Sequence, residues 1–261
     1  MSTTLFGAGK LWPAFTAVDD RIRGGKSTSH WTVDPDSNVG TFSGDLDITA
    51  LGGAGFASQS TIFSPSRLSL SPSSTAGLLL TFVPSSPSPS ASSAKPNPPS
   101  RFVLLLKNDE PARRPDGRRE SVIVYEYAFD AHEYAAELYS CSEDEKEGVD
   151  EEKEVGRRSV TVLARWSDFK PHYRGKPAPD AKPLDPSSIY ELSFMARSNF
   201  GEQAGPFSLD VVSISVLNKS QSKGWFRTAC EAVRSAWARC LALVCGWWAG
   251  RGGADGAVRL P

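Results

Sequence analysis

Tyr190-Glu191-Leu192-Ser193-Phe194-Met195-Ala196-Arg197 alternates residue by residue. Tyr190, Leu192, Phe194 and Ala196 fall on one side of an extended chain. Glu191, Ser193, Met195 and Arg197 fall on the other. Successive side chains of a strand point to opposite faces, so the segment reads as a β-strand with one buried face.

The same period of two recurs on both sides of this stretch. Ile123, Tyr125, Tyr127 and Phe129 alternate with Val124, Glu126 and Ala128; Val160, Val162, Ala164 and Trp166 alternate with Thr161, Leu163 and Arg165. Phe207, Leu209 and Val211 start a further strand, but the apolar parity then switches to Val212, Ile214 and Val216. One buried face cannot take both sets. Either a β-bulge near Val211 absorbs one residue or the strand is buried on both faces. Gly40 to Asp47, Gly55 to Thr61, Ala76 to Val83 and Arg101 to Lys107 complete a set of about eight strands, enough for a two-sheet sandwich.

Three segments break the pattern. Residues 84–100 form a Pro/Ser tract, read as a loop between two strands. Asp109 to Glu120 is a polar turn around Pro115-Asp116-Gly117. Residues 140–154 are strongly acidic and are expected to form a solvated loop. From Gly224 the period changes. Phe226, Cys230, Val233, Trp237, Cys240, Val244 and Trp248 recur every three or four residues, with Arg227, Glu231, Arg234 and Arg239 between them. This predicts an amphipathic helix ending at Gly250. The expected organisation is a sandwich domain over 1–217 and a helix with its tail over 218–261. The stripe needs a surface, which is the sandwich itself, a partner protein or a membrane face; the arginines and the Trp247-Trp248 pair favour a membrane or a membrane-embedded partner.

Composition narrows the function. The 261 residues carry 23% charged side chains and a formal net charge of -1, so no global field favours nucleic acid. Cys141, Cys230, Cys240 and Cys245 form no regular disulfide framework and read as reduced thiols. The first residues show neither the basic-then-apolar pattern of a secretory signal nor an Arg-rich presequence, since Asp19 and Asp20 arrive early.

No motif assembles a catalytic centre. Gly25-Lys26-Ser27 ends like a phosphate loop, but Asp20 occupies the position of its first glycine and would repel phosphate. Gly53-Ala54-Gly55 precedes a β-prone run rather than a helix, so it reads as a turn between strands, not a dinucleotide site. His30, His132 and His172 lack metal-ligand spacing. No nucleophile–base pair is visible. The expectation is a non-enzymatic protein without cofactor or metal.

Five stretches, in order, resemble the complex I intermediate-associated protein 30 family. They are Asp20-Arg21-Ile22-Arg23-Gly24-Gly25-Lys26-Ser27; Gly40-Thr41-Phe42-Ser43-Gly44-Asp45-Leu46; Gly55-Phe56-Ala57-Ser58-Gln59; Trp166-Ser167-Asp168-Phe169-Lys170-Pro171 with Arg174-Gly175; and Gly205-Pro206-Phe207-Ser208-Leu209-Asp210-Val211. Arg23 stands where the family often has Met. The resemblance implies a galactose-binding-like jelly-roll sandwich. It also implies a chaperone-like assembly factor for respiratory complex I, with complex I subunits, intermediates and other assembly factors as partners. It implies a mitochondrial location, with the cytoplasm as the alternative.

For the shared residues, Gly24 and Gly25 are expected to form a positive-φ turn, and Ser27 and Ser29 to satisfy turn backbone groups. Trp166 and Phe169 are expected to anchor the core edge, with Pro171 ending their strand. Arg174, next to Gly175, is expected to pair with Asp20 or with a partner carboxylate; Asp20, Arg21, Gly24, Gly25, Ser27, Trp166, Phe169, Arg174 and Gly175 are the structural or partner-binding candidates. The alternative function is a carbohydrate- or small-ligand-binding module, which requires an exposed aromatic platform beside polar groups on a concave sheet face.

Overall fold

The structure, a computed structural model, describes residues 2–84, 96–115, 119–132 and 159–220. The acidic run, the tail helix, all four cysteines and most of the Pro/Ser tract lie outside the described residues.

Thirteen strands are described: β1 (Thr3–Gly7), β2 (Thr16–Ala17), β3 (Thr28–Val33), β4 (Gly40–Leu46), β5 (Phe56–Ile62), β6 (Thr75–Val83), β7 (Arg101–Lys107), β8 (Val124–Asp130), β9 (Val160–Arg165), β10 (Lys170–Tyr173), β11 (Lys176–Pro177), β12 (Glu191–Arg197) and β13 (Gly205–Asn218). One sheet runs β3-β4-β13-β6-β9, with β1 also paired to β13; the other runs β11-β10-β8-β7-β12-β5-β2. The ladders are antiparallel. Met1–Asn218 forms one unit, and the chain divides after it.

The alternation read from the sequence is what closes the sandwich. Phe42, Leu78, Leu80, Phe82 and Val162 from the first sheet meet Phe102, Leu104, Leu106, Leu192 and Phe194 from the second in one buried cluster. Rings cross the interface, with Phe42 6.1 Å from Phe102 and 6.2 Å from Phe194 between centroids.

The parity switch in β13 is resolved by a bulge. Register against β6 shifts between Val211 and Ser213. Phe207, Leu209 and Val211 are in the core before it, and Ile214 and Val216 after it. The bulge marks a change of neighbour: β4 pairs with Gly205 to Val211 and β1 with Ser213 to Val216 along the same strand. Gly7 makes the transition sterically feasible, because a Cβ there would sit 2.2 Å from the Val212 carbonyl oxygen and its φ is +71°.

Candidate functional site

The Asp20 to Ser27 stretch becomes a clasp between the edges of the two sheets. After β2 the chain makes a 3₁₀ turn over Asp20–Arg23, closed by Gly24 at φ 84°. It then turns into β3, at the edge of the first sheet. Asp20 lies fully buried between β3 and β5. Its Oδ1 accepts from the Ser27 N–H at 3.1 Å, and its Oδ2 accepts from the Ser27 hydroxyl at 2.8 Å and the Phe56 N–H at 3.1 Å. Asp19 repeats the pattern two residues further along each strand. Its Oδ2 accepts from the Ser29 N–H at 3.2 Å, and its Oδ1 accepts from the Ser29 hydroxyl at 2.6 Å and the Ser58 N–H at 3.0 Å.

The physical logic is edge satisfaction. Edge strands present unpaired N–H groups, which are costly when buried. Here β3 and β5 belong to different sheets and share no ladder, so two carboxylates supply the missing acceptors. The pairs Asp19-Asp20, Ser27/Ser29 and Phe56/Ser58 step along the strands in register. The sequence reading identified Asp20 and Ser27 but not Asp19. The signal was the matched two-residue offset of Ser27/Ser29 and Phe56/Ser58.

The glycines act differently from one another. Gly24 takes the positive φ expected of it. Gly25 does not; it is needed for space, since a Cβ would lie 2.2 Å from the Asp20 Cγ. Ser27 and Ser29 bond to carboxylates rather than simply capping a turn. Arg21 is exposed beside the clasp and takes no part in it.

Trp166 and Phe169 do anchor the core edge. Phe169 is buried, Trp166 lies 6.3 Å from it between centroids, and the indole N–H donates to the Thr75 carbonyl at 3.2 Å. Pro171 does not end a strand. It sits inside β10 opposite Tyr125. Its carbonyl accepts from the Ala178 N–H, past the two-residue β11, so its missing N–H faces the short β11 edge and not the β8 ladder.

Arg174 and Gly175 form the β10–β11 turn, both at positive φ. Arg174 donates to the Ser121 hydroxyl at 3.2 Å, and its guanidinium lies 5.3 Å from the Tyr173 ring centroid. The Asp20–Arg174 pairing is therefore overturned. Four strand steps separate β10 from β5 in the seven-stranded sheet, about 19 Å at the usual strand spacing.

The outer face of the seven-stranded sheet is the other polar assembly. Arg197 donates to Glu126 at 2.7 Å, from β12 to β8 across β7, and Lys107 donates to Glu191 at 2.8 Å. Val103 lies on β7 between these strands and is only 2% exposed although it is outside the core cluster. These ion pairs lie flat and shield apolar floor from water. Strand alternation puts Phe56 on this face, under the Arg23 guanidinium at 5.7 Å from the ring centroid. Among the described residues, no group of three or more His, Cys, Asp or Glu side chains is placed to hold a metal ion.

Beyond the end of β4, hydrogen bonds outweigh desolvation at Asp47. Desolvation pushes its carboxyl up, but the Thr49 side chain and backbone, the Ala50 backbone and nearby Lys26 hold it below the usual carboxylate value.

These features define a class: a two-sheet antiparallel β-sandwich whose motif residues are spent on joining its edges. The family model for complex I intermediate-associated protein 30 matches residues 5–82 and 116–211, through both sheets. The chain belongs to that family. An uncharacterized protein of Schizosaccharomyces pombe is 32% identical over 221 residues, 83% of this chain and 84% of that protein. Among solved structures, the family 11 carbohydrate-binding module of a Clostridium thermocellum cellulosomal cellulase has a TM-score of 0.45 at 10% identity, covering 84% of this chain and 95% of the module. The same module in complex with a β-1,3-1,4-mixed-linked tetrasaccharide has a TM-score of 0.45 at 11% identity, covering 83% and 95%. The sandwich assignment rests on the strand pairing above, not on these two likenesses.

Proposed function

We propose that the protein is a non-enzymatic assembly factor for mitochondrial respiratory complex I that binds unassembled subunits or assembly intermediates. Family membership supports the association with complex I. The observation that carries the non-enzymatic part is the clasp. All four carboxylate oxygens of Asp19 and Asp20 already accept hydrogen bonds from backbone N–H groups or serine hydroxyls. Residues so engaged hold a scaffold together and are poorly placed to move protons.

The alternative, a glycan- or small-ligand-binding module, needs an exposed aromatic platform. Among the described residues, the outer sheet face offers Phe56 under Arg23 and ion pairs lying flat on the strands, which makes this the less supported reading.

The test is loss of the protein in cells, followed by native electrophoresis of respiratory complexes and mass spectrometry of what co-purifies with the tagged full chain. The expected result is stalled complex I intermediates and co-purifying complex I subunits. Normal complex I content with no such subunit would defeat the proposal. Purified protein turning over a substrate in a manner abolished by one polar substitution would defeat its non-enzymatic part.

A further inference from the structure

Ser121 closes the stretch Arg118-Arg119-Glu120-Ser121. Arginines two and three residues before a serine are the charge pattern by which one class of protein kinases selects its substrates. The pattern matters only where a kinase can reach it. Arg23 and Lys26 precede Ser27, but Ser27 has no exposed surface and its hydroxyl donates to Asp20. Arg119, Glu120 and Ser121 are all exposed, and Ser121 to Ile123 lead into β8 without belonging to a ladder. The turn before them is tied by the Arg113–Arg119 bridge and by the Glu120 N–H donating to the Ala112 carbonyl at 2.8 Å. Little pairing has to open for this segment to extend into a kinase cleft.

The fold also supplies a receptor for the product. The register of β10 on β8 sets His172 opposite Val124, so the chain beyond His172 carries Arg174 to Ser121. The Arg174 Nε–H donates to the Ser121 hydroxyl oxygen at 3.2 Å, and the guanidinium lies 5.3 Å from the centroid of the Tyr173 ring. Among the described residues, the partners of Arg174 are thus a hydroxyl and a ring, with no carboxylate to neutralise it. A charged fork of donors matches the geometry of phosphate far better than that of one neutral hydroxyl.

The stretch from Asp109 to Ser121 carries Asp109, Glu110, Asp116 and Glu120 against Arg113, Arg114, Arg118 and Arg119. That balance is even, so what would hold a phosphate here is the direct Arg174 contact rather than a general field. Glu120, the carboxylate adjoining Ser121, lies 3.7 Å from Arg114.

We propose that Ser121 is the phosphorylation site of a serine/threonine kinase that selects basic sequences, and that Arg174 holds the phosphate. The Ser121 hydroxyl oxygen attacks the γ-phosphorus of ATP. The bond from that phosphorus to the bridging oxygen breaks, ADP leaves with its electron pair, and the hydroxyl proton passes to the catalytic carboxylate of the kinase. The phosphate adds a charge of about -1.5 to -2 and three acceptor oxygens. Because the hydroxyl is already at hydrogen-bond distance from Arg174, those oxygens reach the guanidinium without a shift of either backbone. The new bonds pin the β10–β11 turn to the segment leading into β8, and they neutralise Arg174 toward a partner carboxylate. The site goes beyond the assembly-factor reading and does not rest on it.

The test incubates the purified full chain with the catalytic subunit of cyclic-AMP-dependent protein kinase and Mg-ATP, and locates the phosphate by tandem mass spectrometry. Near-complete modification of Ser121 is expected, slowed about tenfold or more in Arg119→Ala by the loss of one charge-assisted contact to the kinase. The product is then titrated by 31P NMR. Arg174 favours the dianion, so the second phosphate pKa should lie about half a unit below that of the phosphorylated Arg174→Ala chain, and Arg174→Lys should recover part of the difference. A purely structural role for Arg174 would leave that titration unmoved. The full chain purified from cells in phosphatase inhibitors should carry the same phosphopeptide. Ser121 left unmodified by the kinase, no phosphate on Ser121 in cells, or identical titrations with and without Arg174 would each overturn the proposal.

Discussion

Asp20 has no exposed surface and is held by Ser27, just before β3, and by Phe56 of β5. Asp20→Asn replaces an acceptor oxygen with an NH2 group that faces donors, so the Ser27 or the Phe56 N–H loses its partner. The expected cost is about 3 kcal/mol, read from urea unfolding, since bonds to charged acceptors contribute roughly 1.5–3 kcal/mol each. Gly25→Ala should cost at least as much, because the Asp20 carboxyl must move out of contact range. Gly24→Ala, whose Cβ meets nothing within 4 Å, should cost only about 1 kcal/mol for its left-handed backbone. Equal costs at the two glycines would show that the clasp does not depend on close approach. Tyr125 gives a separate, pH-dependent test. Burial first, then the Asp109 and Asp185 carboxylates, push its hydroxyl above the ordinary tyrosine value, while the hydroxyl donates to the Lys182 carbonyl at 2.8 Å. Burial likewise raises Tyr190. A raised folded value contributes stability that is complete below about pH 10 and is lost as pH climbs through the folded value. Tyr125→Phe should therefore lose a little stability at pH 7 and show a shallower decline above about pH 10. An unchanged alkaline limb would remove Tyr125 from that account.

At the scale of elements, β13 is where sequence and structure inform each other most. Its parity switch is legible because apolar residues change sides between Val211 and Ile214. The cause is not legible, since it lies in β1, which takes over from β4 as the neighbour. Deleting Val212 would remove the extra residue, so that a regular strand still buries Phe207, Leu209, Val211, Ile214 and Val216 on one face while losing the bulge at which β1 replaces β4 as neighbour. The expected outcome is a melt that stays cooperative with a midpoint lowered by a few degrees, checked by circular dichroism; loss of cooperative unfolding would show that the change of neighbour needs the extra residue. Gln203→Leu should cost about 2–4 kcal/mol by leaving the Ser100 and Arg101 N–H groups without their acceptor. Most strands read from the sequence have an inner face of Leu, Phe or Val, with β5, read as Gly55 to Thr61, the exception. Those missed are short, polar or Pro-bearing. β2 and β11 have two residues each, and β3 directly follows a segment resembling the end of a phosphate loop. Their stability comes from partners distant in sequence, so local periodicity carries little of it. The candidate site was half legible for the same reason. Its glycines and Asp20 stand out locally, whereas the role of Asp19 appears only once β3 and β5 are side by side.

At the scale of the whole molecule, the chain divides into Met1–Asn218, which holds the sandwich, and Lys219–Pro261. Among the described residues, every ladder and the hydrophobic cluster draw on residues up to Asn218. Stability in a domain of this size comes mainly from apolar burial, and that burial is internal to Met1–Asn218. A chain ending at residue 220 should therefore melt cooperatively, within a few degrees of the full chain. The amphipathic pattern from Phe226 to Trp248 lies outside the described residues. Burying its aromatic stripe elsewhere would remove several hundred Å² from water, about 5 kcal/mol or more before ordering costs at about 25 cal/mol per Å². An isolated helix of that length is marginal in water, so the stripe needs a surface. Fractionation of cells carrying the shortened chain decides whether that surface is a membrane or a membrane-embedded partner. The expected outcome is a sandwich with an unchanged melting midpoint that moves from the membrane fraction to the soluble one. A shortened chain that unfolds would place the stripe against the sandwich itself. One that folds and fractionates like the full chain would remove the tail from membrane association altogether.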